Sequence, residues 1–364
     1  MNRLFPLPIY SFLKLVFENG GINPKRIENL APWFIKTILF EPLRWMELAK
    51  QNEKVSQHVM AKDPVFILGF YRSGTSYLHH FLTQDDRLGY HSVFQMVFPE
   101  IMLTHEKWLA PALQSFSNVF KIQDPVHRIP LNWRYPGEED GTMTTSMNPG
   151  GAQWGYFFPK MMDKQFRKYV LFENITESEL EIWKTDFVFL LKKISLANHN
   201  KQLVLKSPPN TARIKLLLSL FPNAKFIFIH RNPYEVYLSN KKFWKVTKSI
   251  YAIGAYKSVD VNGIILDTYA KMMNRYLLEK GLIPGGQLIE IAYANLINEP
   301  LQSMRTLYEA IHLDDFNYCE NKMKVFVENE KSFARLKHEM TAEESKIVRE
   351  KLEPFIRYWN YPLL

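Results

Sequence analysis

The sequence predicts an α/β protein: a parallel central sheet with helices on both faces, preceded by a helical N-terminal extension. Three observations carry this expectation. Short apolar runs of strand length, at Val65–Leu68, Leu203–Leu205, Lys225–His230 and Leu288–Ala292, alternate with stretches of helical periodicity. The connections between them are short, as in strand–helix–strand units. The first run leads directly into a glycine-bounded loop, Gly69-Phe-Tyr-Arg-Ser-Gly74, and then into a helix start. That order makes an anion cradle, because backbone N–H groups and the helix dipole converge at the strand's C-terminal end.

From the beginning, residues 9–17 and 33–49 carry apolar residues at helical spacing, including Trp33, Phe34, Ile38, Phe40, Leu43 and Trp45. Residues 1–60 read as a helical extension packed on the core, and residues 61–364 as a single domain. The alternative for residues 1–50 is an amphipathic surface that touches membrane or gathers a lipid-like substrate; Arg44, Lys50 and Lys54 suit either. Met1–Phe17 has a basic residue followed by apolar ones. Pro6, Pro8 and Lys14 interrupt that run, and no small-residue cleavage site follows. Nothing approaches the roughly 20 apolar residues that span a bilayer.

After Val65–Leu68 and its loop, Thr75–Leu82 reads as a helix with Leu78, Phe81 and Leu82 on its apolar face. Gln84–Arg87 is a polar break, and a helix is expected over Trp108–Phe120. Residues 124–160 are punctuated by proline and glycine, at Asp124-Pro, His127-Arg-Ile-Pro130, Tyr135-Pro-Gly and Asn148-Pro-Gly-Gly151, which predicts a long irregular segment. Its aromatics (Trp133, Tyr135, Trp154, Tyr156, Phe157 and Phe158) argue for an ordered pocket wall, since disordered segments are poor in aromatics. Thr176-x-x-Glu179 is a capping box opening a helix to about Asn200. Thr211–Leu220 reads as a helix closed by Pro222. Asn232 can cap a helix with Pro233 at its first position. Tyr293 leads into a helix bearing Leu301, Met304, Leu307, Tyr308 and Ile311, and Thr341-x-x-Glu344 is a second capping box.

Composition bounds the partners. The 364 residues are 46% hydrophobic and 23% charged, with a formal net charge of +9. No lysine/arginine block marks a nucleic-acid arm, so no nucleic-acid partner is expected; the basic balance favours anionic ligands or anionic membrane surfaces. Cys319 is the single cysteine, which excludes an intrachain disulfide or a cysteine-based zinc site and fits a reducing compartment. A cytoplasmic protein is expected, with peripheral membrane association as the variant.

The strand ends carry the chemistry. The Gly69-x4-Gly74 spacing is that of a nucleotide phosphate loop, but Thr75 stands where an NTPase has its lysine, and Arg72 has moved inside the loop. The second run ends in Lys206-Ser207-Pro208. The third ends in His230-Arg231-Asn232, with Ser239 near the second turn of the next helix. A magnesium-dependent NTPase would want a carboxylate there. Cations instead suit a ligand with several negative charges and no metal.

Gly69-Phe-Tyr-Arg-Ser-Gly-Thr-Ser76 resembles the 5′-phosphosulfate loop of bacterial sulfotransferases that use 3′-phosphoadenosine 5′-phosphosulfate (PAPS). Ile229-His-Arg-Asn-Pro-Tyr-Glu-Val-Tyr-Leu-Ser239 resembles their 3′-phosphate segment, an arginine followed eight residues later by a serine. Leu205-Lys-Ser-Pro208 and Tyr293-Ala-Asn-Leu-Ile-Asn-Glu-Pro300 resemble further segments, and the likeness runs over roughly residues 62–360. It implies transfer of a sulfuryl group from PAPS to an acceptor hydroxyl or amine, releasing 3′,5′-adenosine bisphosphate (PAP), without a metal. By this resemblance Arg72, Ser73, Gly74, Thr75 and Ser76 hold the 5′-phosphate, and Arg231 and Ser239 the 3′-phosphate. Arg72 stands where the family often has lysine. Lys206 is the candidate second cation near the transferred group, against a solvated strand-end lysine.

The base is open. Cytosolic animal members use a histidine two residues after the strand-two lysine, where this chain has Pro208. Many bacterial members have a Pro-x-Glu-Glu-like stretch, here Pro136-Gly-Glu-Glu-Asp140. Glu138 is the first candidate and Glu139 the second, against an exposed acidic turn; His79 and His80 compete. An aromatic wall short of cations suits a hydrophobic hydroxylated acceptor such as a sterol, steroid, phenol or lipid alcohol. The rivals are a carbohydrate sulfotransferase, a P-loop kinase or NTPase, and a non-catalytic basic adaptor.

Overall fold

The computed structural model describes residues 8–124, 129–146, 151–255, 257–330 and 340–364. Of the expected pocket wall, Pro125–Arg128 and Met147–Gly150 lie outside the described residues, as do the side chains of Trp33 and Phe34.

The chain begins with α1 (Pro8–Glu18) and α2 (Ala31–Gln57), joined by a 3-10 turn at Pro24–Leu30, then β1 (Val65–Leu68) and α3 (Thr75–Leu82). There follow β2 (Leu88–Tyr90), α4 (Val93–Val97), α5 (Glu106–Val119), α6 (Glu139–Ser146), α7 (Trp154–Phe157), α8 (Met162–Tyr169) and α9 (Glu177–Ala197). The second half alternates: β3 (Gln202–Lys206), α10 (Ile214–Leu220), β4 (Lys225–His230), α11 (Pro233–Tyr251), α12 (Val261–Glu279) and β5 (Leu288–Ala292). It closes with α13 (Tyr293–Asn298), α14 (Pro300–Ala310), α15 (Asn317–Glu330) and α16 (Ala342–Tyr358).

These elements fall into two compact units through which the chain passes repeatedly. The described parts of 1–61, 90–201 and 244–259 form one, and those of 62–89, 202–243 and 260–364 the other.

The second unit holds the sheet, in strand order β2-β3-β1-β4-β5. β1 pairs in parallel with both β3 and β4, and β4 with β5. Both faces are covered, which is why the strands read as nearly continuous apolar runs. On one face Val65, Ile67, Val204, Ile227 and Ile229 pack against Leu78, Phe81 and Leu82 of α3, Leu307 of α14 and Met323 of α15. On the other, Phe66 stacks on Phe226 at 5.8 Å between ring centroids, and Phe228 stacks on Tyr276 of α12 at 3.8 Å. The expected parallel α/β sandwich is present.

In the first unit, the inner side of the N-terminal helices is packed. Leu15 of α1 joins Trp154, Phe158 and Ile253, while Phe40 and Leu43 of α2 lie on Phe94, Phe98 and Ile101. Glu47 of α2 pairs with Lys193 of α9 at 2.6 Å, both buried, and also accepts the Leu103 and Thr104 N–H groups. Those extra donors compensate a buried carboxylate that the ion pair alone would leave under-solvated.

Several local expectations differ from the structure. β2 is a three-residue edge strand, too short to leave a periodic signal. The helix expected from Thr211 begins at Ile214, because Pro208–Ala212 forms a 3-10 turn. The helix after β5 is broken in two at Glu299, where Pro300 removes an N–H. Residues 139–146 are helical although Gly141, Thr142 and Thr144 are poor helix formers. Tertiary contacts override propensity there: the Asp140 carboxylate accepts the Ala152 N–H at 3.1 Å, and the Thr144 hydroxyl donates to the Asp140 carbonyl at 2.7 Å.

Candidate active site

β1 delivers the chain into the Gly69–Gly74 loop with two departures into left-handed backbone on either side of Ser73, Arg72 at φ 69° and Gly74 at φ 100°. Such a pair curls successive N–H groups toward one concavity, which then runs into the N-terminus of α3. Gly74 has no substitute: a Cβ there would run into the Tyr293 ring. At Gly69 a Cβ would come within 2.6 Å of the Ile229 carbonyl oxygen of β4. The loop lies tight against its neighbours at both glycines.

Three side chains from distant sequence hold the loop. The fully buried Thr211 hydroxyl accepts the Gly69 N–H at 2.8 Å and donates to the Gly69 carbonyl at 3.1 Å. Asn240 of α11 donates to the Tyr71 carbonyl at 2.9 Å. Beside it, the Arg72 guanidinium donates through Nε to the Ser239 hydroxyl at 3.2 Å and lies 5.9 Å from the Phe243 ring. Arg72 and Ser239, assigned to opposite phosphates from sequence, are thus hydrogen-bonded neighbours. Ser73 and Thr75 are buried, while Ser76 is exposed.

Lys206 ends β3 in register with Ile67 and is buried, not a solvated strand-end lysine. Arg231 follows β4. Its Nε pairs with Glu235 at 2.7 Å, and its guanidinium lies 4.5 Å from the Tyr293 ring, within cation–π range. Asn232 caps α11 as expected, accepting the Tyr234 N–H at 3.1 Å. His230 is sandwiched against Phe228 and Trp359, with Nδ1 2.8 Å from the Tyr361 hydroxyl. Burial depresses its pKa to about 4, so the ring is neutral.

The two histidines of α3 are committed to packing. His79 is fully buried with Nε2 3.1 Å from the Val204 carbonyl, so it donates to the backbone of β3. His80 lies edge-on to Phe326, and burial lowers its pKa.

The Glu138–Glu139 pair belongs to the first unit. A short antiparallel bridge of Ser92 with Pro136, reinforced by Gly137 N–H to the His91 carbonyl at 2.7 Å, carries the chain into α6. Glu139 and Asp140 are buried at its start, and Glu138 is half-buried, accepting from Gln153 at 3.4 Å. The segment is not the exposed acidic turn that the sequence also allowed. Of the aromatic wall, Trp154 and Phe158 belong to the core of this unit. An open groove of about 620 Å³ runs between α5 and residues 130–135. Its Gln114 amide donates to the Leu131 carbonyl and accepts the Trp133 N–H, while Ser115, Asn118, Asn132 and Arg134 also line it, so the groove is mixed in polarity.

Thr211, Asn240 and Tyr293 were not singled out as site residues from sequence. Asn240 directly follows Ser239, and that adjacency to a candidate phosphate-binding serine is the one sequence signal that could have flagged it.

Comparison with known proteins agrees with this architecture. The model of the Sulfotransferase family matches residues 64–317. The chain is 27% identical over 313 residues to the omega-hydroxy-beta-dihydromenaquinone-9 sulfotransferase Stf3 of Mycobacterium tuberculosis, covering 85% of this chain and 78% of that protein. Its fold is similar to the crystal structures of sulfotransferase STF9 from Mycobacterium avium (TM-score 0.69, 18% identity, 88% and 82% of the two chains) and of STF1 from Mycobacterium tuberculosis (TM-score 0.68, 16% identity, 95% and 91%). The P-loop kinase alternative is thereby set aside, and the chain belongs to the sulfotransferase family.

Proposed function

We propose that the protein moves the sulfuryl group of PAPS to the hydroxyl of a hydrophobic, lipid-type alcohol and releases PAP. The observation that carries this reading is the cradle itself: a left-handed turn through Arg72 and Gly74, hydrogen-bonded to Ser239 and backed by the Tyr293 ring on which Arg231 rests. Its donor set is cationic and hydroxyl-rich, which fits a ligand bearing two separate phosphates. PAPS, when bound, supplies a sulfuryl group activated by its phosphate leaving group.

The chain's own residues divide the remaining work. The loop amides, Arg72, Ser73, Thr75 and Ser76 hold the 5′-phosphate and stabilise the charge that grows there. Arg231 and Ser239 hold the 3′-phosphate, and Lys206 contributes a second cation toward the transferred group. Glu138, the more accessible of the two candidate carboxylates, takes the proton from the acceptor hydroxyl. His79 is the weaker candidate, since it is fully buried and held by its hydrogen bond to the Val204 carbonyl of β3. The lipid character of the acceptor is supported by the likeness to a relative named for a hydroxylated menaquinone.

Thermal shift with PAP, AMP and ATP–magnesium tests the nucleotide. PAP at about 100 times its dissociation constant should add ~2.7 kcal/mol of stability, AMP much less. A shift with ATP–magnesium but none with PAP sinks the proposal. Labelled PAPS offered with isoprenoid alcohols, sterols, phenols and sugars then tests the acceptor; label on the sugars alone would favour the carbohydrate reading.

A further inference from the structure

α2 is apolar on two sides over its first half. Phe40 and Leu43 turn inward. On the flanking face Ile35, Ile38, Leu39 and Met46 line up and are 56%, 66%, 64% and 38% exposed. The same line continues as Lys50, Glu53 and Gln57, so the bare stripe ends abruptly. An apolar helical stripe is normally turned to the core, and this one is not. The elements that pack on α2 repeat the pattern, with Phe17 of α1 90% exposed and Ile27 of the Pro24–Leu30 turn 64% exposed.

Cations accompany this surface. Arg26 donates to the Ser249 carbonyl at 2.7 Å, and the Asn23 N–H donates to the Ile253 carbonyl at 2.8 Å. These bonds tie the turn to the end of α11, where residues 244–255 include Lys245 and Lys248 and no acid. The two tied segments thus carry Lys25, Arg26, Lys245 and Lys248 against one acid, Glu28, next to Ile27.

We infer that this face docks peripherally on an anionic lipid bilayer, the isoleucines and Leu39 entering the acyl boundary and the basic cluster meeting headgroup phosphates. A second copy of the chain is the poorer occupant: self-association through this face would bring like cation clusters together in a molecule of net charge +9. The inference goes beyond the proposed function, since it concerns where the enzyme works and not what it sulfates.

The test is co-sedimentation of the full chain with phosphatidylcholine vesicles and with mixed phosphatidylcholine–phosphatidylglycerol vesicles. The wild type should sediment with the anionic vesicles, and less as salt rises. Ile38→Glu with Leu39→Glu should weaken binding by roughly tenfold or more. Lys25→Glu with Lys245→Glu should remove only the preference for anionic lipid. All variants should keep the wild-type circular dichroism spectrum and melting temperature, which controls for folding. The inference is overturned if the wild type stays in the supernatant, if it ignores lipid charge, or if the apolar variant sediments unchanged. It is equally overturned if light scattering finds a wild-type dimer that this variant splits. Neither PAPS nor an acceptor enters the measurement, so failure of the sulfuryl-transfer proposal would leave this result standing.

Discussion

Glu138 and Glu139 are adjacent in the chain but differ in surroundings, and their substitutions should differ in kind. Glu138→Gln should lower kcat/KM by about 10²–10⁴ while leaving PAP affinity intact, the expected loss for a general base. Glu139→Gln, at a buried site, should instead lower the melting temperature. Wild-type turnover in the first variant would remove Glu138 from the mechanism. His91 gives a pH signature. It is fully buried, and burial depresses its pKa to about 4. Unfolded, it titrates near 6.5, so between 6.5 and 4 the unfolded chain binds the extra proton. Stability is therefore complete above pH 6.5 and declines as the pH falls toward 4, by on the order of 3 kcal/mol from this residue. Melting curves across that range should show the decline, and His91→Gln should flatten it. Arg72, Arg231 and Ser239 could be singled out as candidates from sequence because their spacings are local. Thr211 was not, since a hydrogen bond to a residue 142 positions away leaves no mark on the residues between.

The phosphate loop depends on two kinds of support, and each can be removed. Gly74→Ala places a methyl on a left-handed residue and against the Tyr293 ring, so PAP affinity should fall by roughly tenfold or more. Thr211→Val strips both partners from the buried Gly69 peptide group, which costs about 1–3 kcal/mol for each group left unpaired. It should therefore lower the melting temperature as well as weaken PAP, and calorimetry with and without PAP separates the two effects. At this scale the main strands were readable to within a residue, because turn residues bracket each apolar run. β2 and α6 were not: one is too short for periodicity, and the other owes its helix to Asp140 and Thr144 closing on the following loop.

For the molecule as a whole, the sequence supports the fold and the donor chemistry further than the acceptor. The sheet follows from alternating residue types that bury aliphatic side chains on one face and aromatic ones on the other. The acceptor leaves no comparable repeating pattern in the sequence. Sulfuryl transfer assisted only by side chains should survive chelation, so EDTA should leave the rate unchanged; loss of activity restored by magnesium would contradict the mechanism. The strand order has a consequence for biosynthesis. β1 leaves the ribosome well before its partners, since Val65 pairs with Val204 and Lys225. The nucleotide loop must therefore wait for more than half the chain to be translated before its flanking strands exist. High contact order of this kind slows folding and leaves β1, with no charged residue between Val65 and Tyr71, exposed to other nascent chains. Recombinant yield should thus depend on chaperone supply more than on the stability of the finished enzyme.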